Sequence, residues 1–354
     1  MVRALAVGVT LVWFGCGSVK DQPSDAPTGN GDARQIDAPG SGIDAPPTAV
    51  PTTPVAPTLA DPAYQGSQRK FTTQLGTTCT GRVAASMGGT GFCFLAADDS
   101  VKCAGVIGGV SFGMSFGTTG QANAEQIMVM FGSDNGMCIT KTDHTVWCMG
   151  TNTNAFGPGN LTQNFARWTA HTDLAAIASG TWDQICGITT AGQILCGSAV
   201  GSSFGIPPTN QGAAGQTSMW VDTSGMVRPS DTTVLRAGES RTSCQVKANG
   251  LVCSGTAFGP TNGSVVMGST TNSGTCWLTT DGTVSCSTGP KFATGKVLYL
   301  ATDFYSDSMC AIYNDGSVWC VGPNNMGKLG TGNNLTLTTE TMVAPAGSAH
   351  VACN

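Results

Sequence analysis

Three observations predict an all-β chain assembled from repeated hairpins, each closed by its own disulfide. The first is composition: of 354 residues, 49 are glycine and only 10% are charged, and the polar remainder is dominated by Thr, Ser and Asn. Many short strands joined by tight turns have this mix, and long amphipathic helices do not. The second is the spacing of cysteines, which fall in pairs along the chain. The third is a strand-like alternation inside each pair.

The pairs are Cys93 with Cys103, Cys138 with Cys148, Cys186 with Cys196, Cys244 with Cys253, Cys276 with Cys286, and Cys310 with Cys320. Five share one spacing and the pair at Cys244 is one residue shorter. Turn chemistry lies between the partners, most plainly Asp315-Gly316, Asp281-Gly282 and Asn249-Gly250, so each pair should flank a β-hairpin. Residues two apart share a strand face, so the next couples inward should be opposed and apolar. They are Leu95 with Val101, Thr140 with Val146, Ile188 with Ile194, Val246 with Leu251, Leu278 with Val284, and Ile312 with Val318, and only Thr140 departs from the pattern. Opposed residues of an antiparallel ladder lie about 4.5 to 5.5 Å apart, within reach of a disulfide.

Two further marks keep phase with the pairs. A glycine stands six residues before the first cysteine at Gly132, Gly180 and Gly238. An aromatic residue or Leu followed by Gly comes after the second, at Phe112-Gly113, Phe156-Gly157, Phe204-Gly205, Phe258-Gly259 and Leu329-Gly330. Such a unit needs neighbours to cover its faces. By the same phase, Gly347 marks Cys353 as a first cysteine, and Cys79-Thr80-Gly81 matches the second-cysteine context Cys148-Met149-Gly150. A Cys79–Cys353 disulfide would then complete a unit split between the chain ends, giving seven units in a ring closed by both termini. The cysteine left over is Cys16.

Residues 1–15 read as a signal peptide: Arg3, then an apolar run from Ala4 to Phe14 that is too short to span a bilayer as a helix. The run ends Gly15-Cys16-Gly17-Ser18, which resembles a bacterial lipoprotein signal and implies lipidation of Cys16, although Trp13 stands where that signal usually has Leu. An ordinary signal peptide cleaved nearby is the alternative. Residues 16–63 read as a lipid-anchored linker unable to bury a core, with Asp-Ala-Pro recurring at Asp25, Asp37 and Asp44. Residues 64–354 hold the repeats. So many regularly spaced cysteines point to an oxidising compartment, hence to export and a place at the outer membrane or cell surface.

The run Met309-Cys310-Ala311-Ile312, continuing through Asp315-Gly316-Ser317-Val318-Trp319-Cys320-Val321-Gly322 to Leu329-Gly330, resembles the repeat of the regulator of chromosome condensation family. The likeness spans roughly residues 75 to 354, is strong at Cys138 to Gly157 and Cys310 to Gly330, and fades in the middle units. It implies a seven-bladed β-propeller, a fold used for binding proteins. Unequal spacing between pairs implies that some blades lack an outer strand. The founding member's chromatin and nucleotide-exchange roles do not carry over to an exported chain. A secreted relative of this architecture inhibits β-lactamases.

Other chemistries find little support. The net charge is −5, with six Asp between Gly17 and Pro62 and no basic stripe, so nucleic acid is not an expected partner. Three segments, centred on Ser111, Ser115 and Ser203, fit the nucleophile elbow of serine hydrolases, but they overlap the Phe-Gly mark of a β repeat rather than a strand-to-helix turn. Only His144, His171 and His350 are available for a triad or an imidazole metal site. Paired cysteines spaced this widely do not match zinc ligands. Trp147 and Trp319 precede second cysteines and should pack between blades, while Trp168, Trp182 and Trp220 lie between hairpins as packing residues or binding anchors. The expectation is a monomeric, non-enzymatic scaffold without cofactor or metal. It presents loops to a protein or glycan ligand and touches the membrane only through its lipid. A secreted enzyme inhibitor and a propeller enzyme are the alternatives. The insert from Gly197 to Ser243 is where a contact surface is expected.

Overall fold

A computed structural model describes residues 71–75, 79–129, 136–150 and 164–167, the strands between 174 and 253, and residues 256–351 apart from four single positions. The described chain is all-β, a β-propeller arrangement of antiparallel sheets with hairpin disulfides. The first sheet comprises Ala85–Met87, Gly91–Leu95, Ser100–Ile107 and Val110–Ala122. The second comprises Ala124–Val129, Met137–Lys141, Val146–Met149 and Ala166–Arg167. A third, three-stranded, contains Leu174–Ser179, Gln184–Thr189 and Ile194–Ser198. The fourth has Val234–Ala237, Cys244–Lys247, Gly250–Cys253 and Thr256–Phe258. The fifth, again three-stranded, has Val265–Thr270, Thr275–Thr279 and Val284–Cys286. The sixth has Val297–Thr302, Met309–Tyr313, Val318–Gly322 and Leu337–Ala344. Two-stranded pairs join Phe71–Leu75 to Cys79–Val83 and Met219–Val221 to Val227–Pro229. Among the described residues, four sheets thus have the full complement of strands.

The hairpin register follows the cysteines. All six pairs stand directly opposite one another, and so do all six inner couples from Leu95 with Val101 to Ile312 with Val318. Disulfides join Cys93 to Cys103, Cys138 to Cys148, Cys276 to Cys286 and Cys310 to Cys320, with Cα atoms 4.0 to 4.1 Å apart. That separation marks the narrow, non-hydrogen-bonded site of an antiparallel ladder. Cys253 is disulfide-bonded as well, opposite Cys244. The side chains of Cys186, Cys196 and Cys79, and all of Cys353 and Cys16, lie outside the described residues.

The turns explain the spacing of ten. The sixth residue after the first cysteine, Asp99, His144, Gly282 or Gly316, has a positive φ between 61 and 76°. A three-residue hairpin loop ending in a left-handed residue fits the right-handed twist of the strands. The preceding Asp accepts from the backbone N–H and the hydroxyl two residues on: Asp98 from Ser100, Asp143 from Thr145, Asp315 from Ser317. In two sheets a Trp completes the chain, Trp147 Nε1 donating to Thr145 at 3.1 Å and Trp319 Nε1 to Ser317 at 2.8 Å. Both indole N–H groups thus donate within their own hairpin, while the partly buried Trp319 ring packs against the apolar cluster drawn from the first, fifth and sixth sheets. The Trp319 ring stacks on Tyr313 at 5.5 Å, and the Lys141 ammonium lies 4.7 Å from the Trp147 ring centre.

The core lies between sheets. Apolar side chains of the first, fifth and sixth sheets form one cluster around Phe92, Phe94, Tyr299 and Ile312, and those of the first and second form another around Leu95, Ile127 and Met137. Buried polar groups stitch the innermost strands together. Val129 N donates to Ser86 Oγ at 2.9 Å, and Thr302 Oγ1 to Ser269 Oγ at 2.7 Å. The Gln126 amide both donates to Ile177 O and accepts from Ile177 N, as a neighbouring strand would. Thr140, the exception in the apolar couples, is fully buried with its hydroxyl unpaired.

The last described residues return to the first sheet. Ala349 bridges to Ala96, His350 N donates to Leu95 O, and Ala97 N donates to Ser348 O. In the second, fifth and sixth sheets the same register joins the start of the inner strand to its neighbour, as Ala124 to Lys141, Val265 to Thr279 and Val297 to Tyr313. Residues 349–350 therefore stand where an inner strand of the first sheet would begin, and Ala85–Met87 continues it against Phe92–Phe94. His350 Nε2 adds a contact of 3.4 Å to Asp99.

Candidate functional site

The first sheet carries a feature that the spacing of cysteines does not foretell. Its outer strand, Val110–Ala122, has thirteen residues, with register shifts where Met114-Ser115-Phe116 swing away from Ser100–Ile107. This excursion lies against the loop that follows the sixth sheet's last cysteine strand. Ser115 bridges to Thr331, and Gly332 N donates to Met114 O at 2.6 Å. Phe116 turns inward, with its ring edge-on to Phe94 at 5.0 Å and to Phe92 at 6.0 Å. Gly330 makes that possible: a Cβ there would sit 2.4 Å from the Phe116 ring.

Residues 109–123 and 323–336 together contain one charged side chain, Lys328, and Lys328 is fully buried. Three large apolar side chains stand out from these two segments: Met114 is 43% exposed, Met326 58% and Leu335 70%. Met326 also holds a φ of 59°, which an L-residue adopts at a cost. The exposed surface of these two segments is thus uncharged, with these three apolar groups standing out of it.

Behind that surface lies a buried polar cluster. Lys328 Nζ donates to Asp303 Oδ2 and to Ser306 Oγ, each at 2.6 Å, and to Gly89 O at 3.2 Å. Ser306 also donates to Asp303, and Ser308 to Pro323 O. Burial pulls the Lys328 ammonium below its ordinary pKa, with Asp303 opposing. A lysine beside a serine has the chemistry of an activated nucleophile, but this lysine is fully buried and held as an ion pair with Asp303. The cluster ties the sixth sheet to the first.

A cavity of about 270 Å³ opens between the first and second sheets, where Val110 and Phe112 face Met149 and Phe165. Thr119, Gln121 and Asn164 supply its polar side, and Gln121 Oε1 is buried without a hydrogen-bond partner.

The residues singled out from sequence fall as follows. Ser111 and Ser115 lie on the outer strand and not at a strand-to-helix turn, with Gly113 N donating to Ser111 Oγ at 3.3 Å; Ser203 lies outside the described residues. His144 occupies its turn and His350 packs on Asp99, while His171, Trp168 and Trp182 are outside. Among the described residues no group of three or more His, Cys, Asp or Glu could hold a metal ion. Of the insert from Gly197 to Ser243, only short strands are described. Sequence reasoning missed Lys328, Asp303 and the Met114 excursion. The lack of charge in the two segments was the available signal.

No family model matches the chain, and no curated protein matches it. Among solved structures, human WBSCR16 is similar at 16% identity and TM-score 0.40, over 78% of this chain and 83% of that one. Prp20p of Saccharomyces cerevisiae, described with its binding to Gsp1p and histones, is similar at 12% identity and TM-score 0.40, over 74% and 76%. The computationally designed Ika8 protein is similar at 13% identity and TM-score 0.38, over 82% and 100%. At TM-scores of this size nothing about this chain's role follows from the likeness.

Proposed function

We propose that the chain is a non-enzymatic binding scaffold, displayed at a bacterial cell surface through lipid on Cys16. In this reading it is a seven-bladed propeller with repeats like those of the regulator of chromosome condensation family. Residues 348–351 enter the first sheet to shut the ring, and the rigid, stapled sheets present the outer strand of the first sheet to a protein or glycan partner. The observation that carries the binding role is the uncharged surface of residues 109–123 and 323–336 with Met114, Met326 and Leu335 standing out of it.

Two measurements test the reading. Intact mass of protein from its native membrane fraction, alkylated without reduction, should show an acylated Cys16 and no free thiol; an unlipidated soluble species removes the anchor. A photo-crosslinking residue at position 114 or 326 should give a discrete adduct on intact cells. The same residue at Thr339, exposed on the sixth sheet's outer strand, should not. Absence of an adduct, or the same adducts from all three positions, overturns the binding surface.

A further inference from the structure

We infer that Lys328 and Asp303 condense to an intramolecular amide, a covalent cross-link between the two loops that carry them. Burial sets this pair apart from a surface ion pair. Lys328 Nζ lies 2.6 Å from Asp303 Oδ2, and the two side chains keep 0% and 2% of their surface. Amine and carboxyl are held against each other, which removes the entropic cost of bringing them together, and bulk water is kept from the acyl carbon. Energetics set the direction. Two charges taken out of water carry a desolvation penalty that their attraction only partly offsets, and a neutral amide removes both charges. Burial already favours the uncharged amine that must attack, with the carboxylate opposing.

The neighbouring groups supply the proton path. Ser306 Oγ accepts from Lys328 Nζ at 2.6 Å and itself donates to Asp303 Oδ2, so one hydroxyl bridges the nucleophile and the oxygen that must leave. Tyr305 N donates to Asp303 Oδ1 at 2.9 Å, where negative charge gathers when nitrogen adds to the carboxyl carbon. The ammonium first passes one proton to Oδ2, leaving a neutral amine and a neutral carboxylic acid. Nζ then bonds to the Asp303 carboxyl carbon, a second proton moves from Nζ through Ser306 to the Oδ2 hydroxyl, and the bond from carbon to Oδ2 breaks to release water. No oxidant or other reagent is consumed. The amide keeps one N–H, for which Gly89 O, 3.2 Å from Nζ, is an acceptor. The link encloses the hairpin of Cys310 and Cys320 in a loop that a reductant cannot open.

The test is peptide mass spectrometry of the full-length protein, reduced, alkylated and cut with trypsin. Lys296 is the nearest basic residue before Lys328, and no Lys or Arg follows Lys328, so an open chain gives residues 297–328 and 329–354 as separate peptides. The cross-linked chain should resist cleavage after Lys328 and give residues 297–354 as one species, one water lighter than its sequence and without backbone fragments between 303 and 328. Lys328→Arg, which keeps the charge, and Asp303→Ala should each restore full mass and cleavage at position 328. Ser306→Ala should slow the conversion of freshly made protein by about a hundredfold, and an unslowed conversion overturns the proton path. Circular dichroism and intact disulfides report that the variants are folded. Separate peptides of full mass from the wild type overturn the link. So does a peptide of residues 297–328 that is one water lighter yet still cut after Lys328, since an aspartate closed on its own backbone gives that mass. Nothing in this readout depends on Cys16 or on a partner, so the cross-link and the binding surface fail independently.

Discussion

The ammonium of Lys328 donates to the carbonyl oxygen of Gly89 across 239 residues of sequence, so a side chain in the loop between the last two strands of the sixth sheet holds the main chain of the first. Its other anchor, Asp303, is equally buried. Removing one partner of a buried pair strands the other charge and typically costs about 3 to 5 kcal/mol. Lys328→Met should therefore lower urea stability by about that much, and adding Asp303→Asn, which removes the stranded charge but keeps an acceptor, should restore part of it. Equal stability of wild type and Lys328→Met would mean that the pair contributes nothing.

Gly330 and Gly347 share a φ of 75° but differ in surroundings. A Cβ at Gly347 meets nothing within 4 Å, whereas one at Gly330 meets the Phe116 ring. Gly347→Ala should cost only the backbone strain, about 1 kcal/mol. Gly330→Ala should cost clearly more, because Phe116 must leave Phe92 and Phe94. Thermal denaturation of the two variants side by side checks the order.

His144 is a non-glycine residue at a left-handed turn position that Gly282 and Gly316 occupy elsewhere. His144→Gly should therefore be neutral or stabilising, by up to about 1 kcal/mol. A clear loss of thermal stability would show that the exposed imidazole makes a contact of its own.

Acid should loosen the turns. The hydroxyls of Ser100, Thr145 and Thr279 hold the carboxyls of Asp98, Asp143 and Asp281 below the ordinary aspartate range. A depressed native pKa contributes stability above the unfolded value of about 3.9, and that contribution is lost as pH falls through the lowered native values. The denaturation midpoint should be nearly constant between about pH 7 and 5 and fall below about pH 4, with Asp143→Asn showing a shallower fall. Glu340 runs the other way: burial raises its pKa, so its charge opposes folding at neutral pH and Glu340→Gln should be neutral or slightly stabilising there.

Much of this was legible in the chain. The couples around Val101, Ile194 and Val318 follow from a period of two, because residues flanking a cross-strand cysteine pair have only one way to face each other. The recurring Asp-x-Ser or Asp-x-Thr inside the pairs, as at Asp98 and Asp315, is equally visible: Asp315-Gly316 reads as a turn from its composition alone, and the Asp side chain's hold on Ser317 adds to it. The Lys328–Asp303 pair, 25 residues apart, and the Ala349–Ala96 bridge were not legible, since single contacts outside the hairpins leave no periodic trace. The phase marks that assigned Cys79 and Cys353 could not foresee the place of Ala349 either, as a register is fixed by hydrogen bonds rather than by glycine spacing. The Met114 excursion follows directly on the Phe112-Gly113 mark, which signals a repeat but not the long bulged strand that stands there.

The hairpin disulfides bear on how the chain reaches its fold. The chain has 15 cysteines, and eight alone can combine in roughly a hundred ways, yet Cys93–Cys103, Cys138–Cys148, Cys276–Cys286 and Cys310–Cys320 each join residues ten apart across one turn. A hairpin forms in microseconds and a disulfide in seconds or longer, so each thiol finds its correct neighbour already opposite before oxidation begins. Pairing is then decided locally, one turn at a time, without waiting for residues 348–351 to reach the first sheet. Mispaired forms that would need an isomerase to reshuffle them should be scarce from the outset.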